Sequence, residues 1–120
     1  MNITTRAQDF EMSNAIDQFV RSETRTTLER FSEYVIAVDV FMKDANGPKG
    51  GIDKQVLIHV RLRNRQTVTV ETEHENLYAA IKVGTKRTKR AVRRHLRKSG
   101  RIHKRRMRNR LNEADMAAVT

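Results

Sequence analysis

Fifteen lysines and arginines lie between Lys82 and Arg110, and no acidic residue stands among them. Cations in such a run can do one kind of chemistry, which is to hold a polyanion by charge. With Leu77 as zero and about 100° per residue, Lys82, Lys86, Lys89, Arg93 and Arg97 fall between roughly 120° and 200° of a helical wheel. Arg90 lies beside them, and Arg87, Arg94 and Lys98 widen the ridge on one flank. Cations at i, i+3, i+4 and i+7 stand about 5 to 6 Å apart, a spacing suited to the phosphates that line an RNA groove. A solvated face is the plain reading of a helix of mixed sign. Here like charges repel at i, i+4 and weaken the free helix, a penalty that a bound polyanion relieves.

Other chemistry is poorly supplied. His59, His74, His95 and His103 show no metal-ligand spacing, the acids are scattered, and no nucleophile sits in a recognisable constellation. The loop Gly47-Pro48-Lys49-Gly50-Gly51 lacks the Gly-Lys-Ser/Thr ending of a phosphate-cradling loop and falls between two strands, so it reads as a hairpin. No enzyme, cofactor, metal or small-molecule substrate is expected. The chain has no cysteine, so disulfides and Cys-ligated zinc are excluded. The six Phe and Tyr fall mostly in apolar positions, which argues against a stacking platform for single-stranded bases and for recognition by shape and backbone. No uninterrupted apolar run is longer than Tyr34–Val38, and Asp9 and Glu11 interrupt the N-terminus, so export and membrane spanning are disfavoured and a cytoplasmic location is expected. A basic helix could lie on anionic lipid, but the face opposite its charges is Ala, Gly, Thr, Val and Leu, suited to covering a sheet.

The cations need a scaffold, and the rest of the chain supplies one. The 120 residues carry +11 overall, yet residues 1 to 81 hold ten Lys/Arg against twelve Asp/Glu. All of the positive excess is therefore in the last third. Met1 to Arg6 is β-permissive, and Ser13 is an N-cap for a helix whose stripe of Ile16, Phe19, Val20, Thr27, Leu28 and Phe31 predicts an end near Phe31. From Tyr34 to Met42 the period changes to two, with Ile36, Val38, Val40 and Met42 on one face. A glycine-rich hairpin loop over Lys43–Gly51 leads to a strand with Val56, Ile58, Val60 and Leu62 inward, and Asn64-Arg65 turns the chain into a third alternating run with Val68, Val70 and Thr72. Thr72-x-x-Glu75 has capping-box spacing and predicts a second helix starting within Thr72 to Asn76. Its apolar seam is Leu77, Ile81, Gly84, Thr88, Val92 and His95, and Ser99-Gly100 is expected to end it, leaving a basic, frayed tail.

The order is β-α-β-β-β-α, an α+β fold in which a largely antiparallel four-stranded sheet carries two helices on one face. That order, the opening Met-Asn-Ile-Thr, Ser13-Asn-Ala-Ile-Asp-Gln-Phe-Val20 and Glu75-Asn-Leu-Tyr-Ala-Ala-Ile81 resemble the ribosome hibernation promoting factor and ribosome-associated translation inhibitor family. Lys43-Asp-Ala-Asn-Gly-Pro-Lys-Gly-Gly-Ile-Asp-Lys54 resembles a subgroup with a longer loop between the second and third strands. The resemblance covers residues 1 to 98, which form the domain, with 99 to 120 as a flexible tail in place of the extra C-terminal domain of long members. It implies a double-stranded-RNA-binding-domain-like fold and a stress or stationary-phase factor. Such a factor enters the small ribosomal subunit, contacts its rRNA and occupies the messenger and transfer RNA sites. By position, Lys82, Lys86, Lys89, Arg90 and Arg93 match the family's rRNA-facing helix and Tyr78 its helix-opening Tyr, with Arg21 and Arg25 as secondary contacts. The isolated protein is expected to be a monomer. A general structured-RNA binder of the same fold is the alternative.

Overall fold

The computed structural model describes residues 1–44 and 54–119, with side chains as far as Lys98. The glycines Gly47, Gly50 and Gly51 of the expected hairpin loop lie outside the described residues. The elements are β1 (Asn2–Gln8), α1 (Asn14–Leu28) with a 3-10 turn over Glu29–Phe31, β2 (Val35–Asp44), β3 (Lys54–Leu62), β4 (Thr67–His74) and α2 (Leu77–Val119). This is the β-α-β-β-β-α order read from the sequence. The strands lie in the order β1-β2-β3-β4. β2, β3 and β4 form an antiparallel meander, whereas β1 pairs parallel to β2, with Ile3 opposite Val38 and Thr5 opposite Val40. A parallel neighbour needs a crossover, and α1 is that crossover.

Alternation decides which sheet face is covered. Ile3, Val38, Val40, Met42, Val56, Ile58, Val60 and Val68 point under the helices and are buried, while Arg6, Phe41, Arg61 and Glu71 point the other way. One position departs from the simple period: Ile36 is 46% exposed, and Val35 before it is buried in its place. A register shift between Val35 and Ala37 inserts one residue into β2 and turns Ile36 outward. Strict alternation from Tyr34 could not foresee that bulge.

Ser13 caps α1 in extended geometry, its hydroxyl accepting from the Ile16 N–H at 3.1 Å. Val20, Thr24 and Leu28, four residues apart, are the buried stripe of α1. Asp17 and Arg21 fasten the helix to β1. The Thr5 hydroxyl donates to the Asp17 carboxylate. Arg21 donates from Nε to both Asp17 oxygens at 3.1 Å and from Nη1 to the Ile3 carbonyl at 2.8 Å. The Thr5 hydrogen bond, above all, holds the Asp17 carboxyl below its ordinary value against the opposing effect of burial, with the Arg21 guanidinium adding to the lowering.

The second helix starts at Leu77, and its cap is Asn76 rather than the Thr72–Glu75 pair. The Asn76 Oδ1 accepts from the N–H groups of Tyr78 at 2.9 Å and Ala79 at 3.3 Å. Thr72 stays in β4 and is buried under the helix, which is why it cannot serve as a cap. Ala80, Ile81, Gly84, Thr85, Thr88 and Val92 form the seat of α2. A β-carbon at Gly84 would stand 3.2 Å from Ile58 Cδ1 and 3.3 Å from Thr72 Oγ1, so the helix backbone lies almost on the sheet there. Thr88 and Thr85 are tolerated in the seam because each hydroxyl donates within the helix, to the Gly84 carbonyl at 2.8 Å and the Lys82 carbonyl at 3.0 Å.

Ser99-Gly100 does not end α2. The helix runs 43 residues to Val119, about 65 Å at 1.5 Å per residue. The long dimension of the molecule is 75 Å, against 23 and 18 Å for the others. A glycine inside a helix costs only about 1 kcal/mol relative to alanine, and the Arg, Lys, Met, Leu and Ala around it are strong helix formers.

Three outcomes follow from this packing. Gly84→Val forces methyls into Ile58 and Thr72 and should lower unfolding stability by about 1–3 kcal/mol in urea titrations. Thr72→Val replaces a buried hydroxyl that has no partner and should be neutral or stabilising by about 1 kcal/mol in the same assay. Because the folded Asp17 value is depressed, its contribution is complete above the unfolded value of 3.8 and fades as pH falls through the lower folded value. The stability gap between wild type and Asp17→Asn should therefore be constant from pH 7 to 5 and narrow below pH 3.8, by chemical denaturation at each pH.

Candidate nucleic-acid interface

The seat on one side of α2 fixes which side chains stand on the other. Lys82, Lys86, Arg87, Arg90, Arg94 and Arg97 are exposed, and Lys89 and Arg93 are half-buried along their stems. The ridge foreseen from helical spacing is thus assembled as a single outward stripe over the first five turns of α2. Its carbon stems cover the edge of the seam while the charged heads stand in water. Among the described residues no carboxylate pairs with any ridge cation; the ion pairs are Asp17–Arg21 and Asp44–Lys54. Toward the end of the described side chains, Arg90, Arg93, Arg94, Arg97 and Lys98 line a hollow of about 390 Å³ open to solvent. Every described residue of its lining is Arg or Lys, an environment suited to phosphate.

The secondary positions divide. Tyr78, in the first turn of α2, meets Phe19 of α1 edge-on with ring centroids 4.9 Å apart, and is still 42% exposed. It joins the two helices and leaves a polar edge free beside the ridge. Arg25 is exposed in the last turn of α1. Arg21 is already engaged on two sides by Asp17 and the Ile3 carbonyl, so it positions α1 on β1. The histidines do not gather: among the described residues no group of His, Asp and Glu could hold a metal ion. His59 pairs with Thr69 across β3 and β4, its Nδ1 2.9 Å from the hydroxyl oxygen.

Sequence reasoning missed one feature. Half of the aromatic residues keep large exposed areas: Tyr34 at 50%, Phe41 at 37% and Tyr78 at 42%. Phe41 stands on the uncovered sheet face with the Arg6 guanidinium 5.8 Å from its ring centre. The signal was present in the alternation, since Phe41 has the opposite parity to Val40 and Met42. Among the described residues no helix is long and apolar enough to cross a membrane.

Comparison with known proteins points the same way as the fold. Residues 3–99 match the family model described as Sigma 54 modulation protein / S30EA ribosomal protein. The crystal structure of the Thermus thermophilus Protein Y N-terminal domain superposes with a TM-score of 0.67 at 27% identity, covering 79% of this chain and 99% of that one. A ribosomal subunit interface protein from Coxiella burnetii is similar in fold at a TM-score of 0.62 and 16% identity, over 79% of this chain and 97% of that one. Among curated proteins no relative matches this chain. The matched span contains β1 to β4, α1 and the whole described ridge, so the chain belongs to the Sigma 54 modulation protein / S30EA ribosomal protein family of ribosome-associated translation inhibitors and hibernation factors, which are not enzymes.

Proposed function

We propose that the protein binds the small ribosomal subunit through α2 and inhibits translation by occupying the messenger and transfer RNA sites under stress or in stationary phase. The observation that carries this reading is the unpaired cationic ridge held rigidly on a domain of this family. Lys82, Lys86, Arg87, Lys89, Arg90, Arg93, Arg94 and Arg97 would meet rRNA phosphates, with Tyr78 and Arg25 at the margins and Arg21 holding α1 in place. The mechanism is occlusion: a folded wedge fills space that messenger and transfer RNA need, and no bond is made or broken. Cations spaced by a helix read the shape of a phosphate path and not its bases, because every contact is to the backbone. A cytoplasmic location and the absence of a small-molecule substrate follow from the same reading.

Two measurements test it. In a sucrose gradient with small subunits in excess at low salt, the protein should travel with the subunits; if it stays at the top, the reading fails. Replacing Lys86, Lys89 and Arg93 by Ala should weaken binding to subunits at least about tenfold and lower the slope of log K against log salt by about 2 to 3. Equal loss on any structured RNA, with no preference for subunits, would favour a general RNA binder.

A further inference from the structure

The sheet face opposite the helices carries a pattern that the RNA ridge does not use. Across the four strands, the paired register sets Arg6, Phe41, Leu57 and Glu71 in one row and Thr4, Asp39, His59 and Thr69 in the next. The middle of the first row is apolar, its β1 end is cationic and its β4 end is anionic. Beyond it, Gln8, Lys43, Gln55 and Glu73 form a third row. A polyanion is a poor occupant, because Asp39, Glu71 and Glu73 stand among Arg6, Lys43 and Arg61 and the face carries both signs in equal measure. An apolar centre with a charged rim of both signs is the anatomy of a protein interface.

The arrangement of signs picks out the partner. Consider a two-fold axis between two such faces, parallel to the strands and passing between β2 and β3. It exchanges β1 with β4 and β2 with β3 while keeping each row level. Arg6 then meets the partner's Glu71, Phe41 meets the partner's Leu57, and Asp39 meets the partner's His59, each contact made twice. A two-fold axis across the strands through this row would instead stack Arg6 on the partner's Arg6 and Glu71 on the partner's Glu71, with like charges opposed. Face-packed sheets lie about 10 Å apart, a gap that facing Arg and Glu side chains can bridge.

We infer that the open sheet face is a self-association surface on which a second copy of this chain packs by a two-fold axis along the strands, Arg6 against the partner's Glu71 around a Phe41–Leu57 centre. Four strands about 4.8 Å apart and seven residues of about 3.3 Å make a face of roughly 450 Å² per copy. That is below the area of a stable dimer, so association is weak and visible at high micromolar concentration and above. Both α2 ridges point outward in the pair, so the surface used for self-association is distinct from the cationic ridge. The inference therefore stands or falls apart from the proposed function.

Sedimentation equilibrium of the full chain, from about 10 μM to 1 mM at low salt, should give a mass rising from one chain toward two. Arg6→Glu alone and Glu71→Arg alone should each weaken association about tenfold, and an equimolar mixture of the two variants should recover it by pairing unlike copies. Phe41→Ser should abolish it. Circular dichroism and RNA affinity serve as folding controls, and both should be unchanged in all three variants. A single-chain mass across the range, or a mixture no stronger than its components, overturns the inference. So does a single-stranded oligonucleotide that binds the wild type and is lost with Phe41→Ser while the chain stays monomeric.

Discussion

A helix whose exposed side chains are all positive receives no help from its own surface, so it exists only as firmly as its other face is held. In α2 that burden falls on a narrow seam. Gly84 lets the helix axis approach β3 and β4 until a single added carbon would press on Ile58 and Thr72. Ala80, Ile81 and Val92 then fill what remains against the sheet. At i, i+4 the ridge cations oppose one another by a few tenths of a kcal/mol per pair, while each buried aliphatic side chain contributes about 1.5–3 kcal/mol. Packing wins, and the ridge is kept straight at the cost of a seam that tolerates little change.

The remaining elements follow from that requirement. α2 rests on β3 and β4, while β1 at the far edge of the sheet meets α1, and β1 can join only as a parallel neighbour because α1 must cross the sheet before β2 begins. The Asp17, Arg21 and Thr5 cluster ties α1 to β1, and the Phe19–Tyr78 contact ties α1 to the first turn of α2. Through the Phe19–Tyr78 contact the position of α1 bears on the first turn of the basic helix. Charge is segregated in the same way, with the near-neutral part of the chain building the seat and the cationic part lying on it.

Much of this was legible in the residues, and the parts that were not share a cause. Period two in β3 and β4 and period 3.6 in α1 and α2 are properties of single segments, so Val56 to Leu62 and the Lys82 to Arg97 ridge could be placed correctly without knowing their neighbours. Ile36, Thr72 and the parallel register of β1 could not. Each depends on a second segment: the bulge on how β2 meets β3, the identity of the cap on where the helix is pressed against β4, and the parallel pairing on the path of α1. Ser99-Gly100 illustrates the converse error, in which a local signal worth about 1 kcal/mol was read as a stop although strong helix formers on both sides outweigh it. The mixed signs of the open sheet face were also in the sequence, but became a pattern only once Arg6, Phe41, Leu57 and Glu71 were aligned across four strands.

On the proposed function, the fixed helix also governs how nucleic acid is chosen. From Lys82 to Arg97 the helix advances about 22 Å, which spans three or four successive phosphates at about 6 Å. Flexible lysines on a loop could follow any phosphate path and would bind RNA and DNA, ordered or not, with equal ease. Cation stems that begin from a fixed helix can meet only a path whose phosphates recur at a similar interval on a matching curve, so discrimination arises from the geometry of the backbone they meet. The side chains lose less freedom on binding because the helix that carries them is already ordered. Shape selection by a wedge of this kind needs no base contact, no cofactor and no catalytic group. It needs the seam at Gly84 to hold the helix where the sheet has placed it.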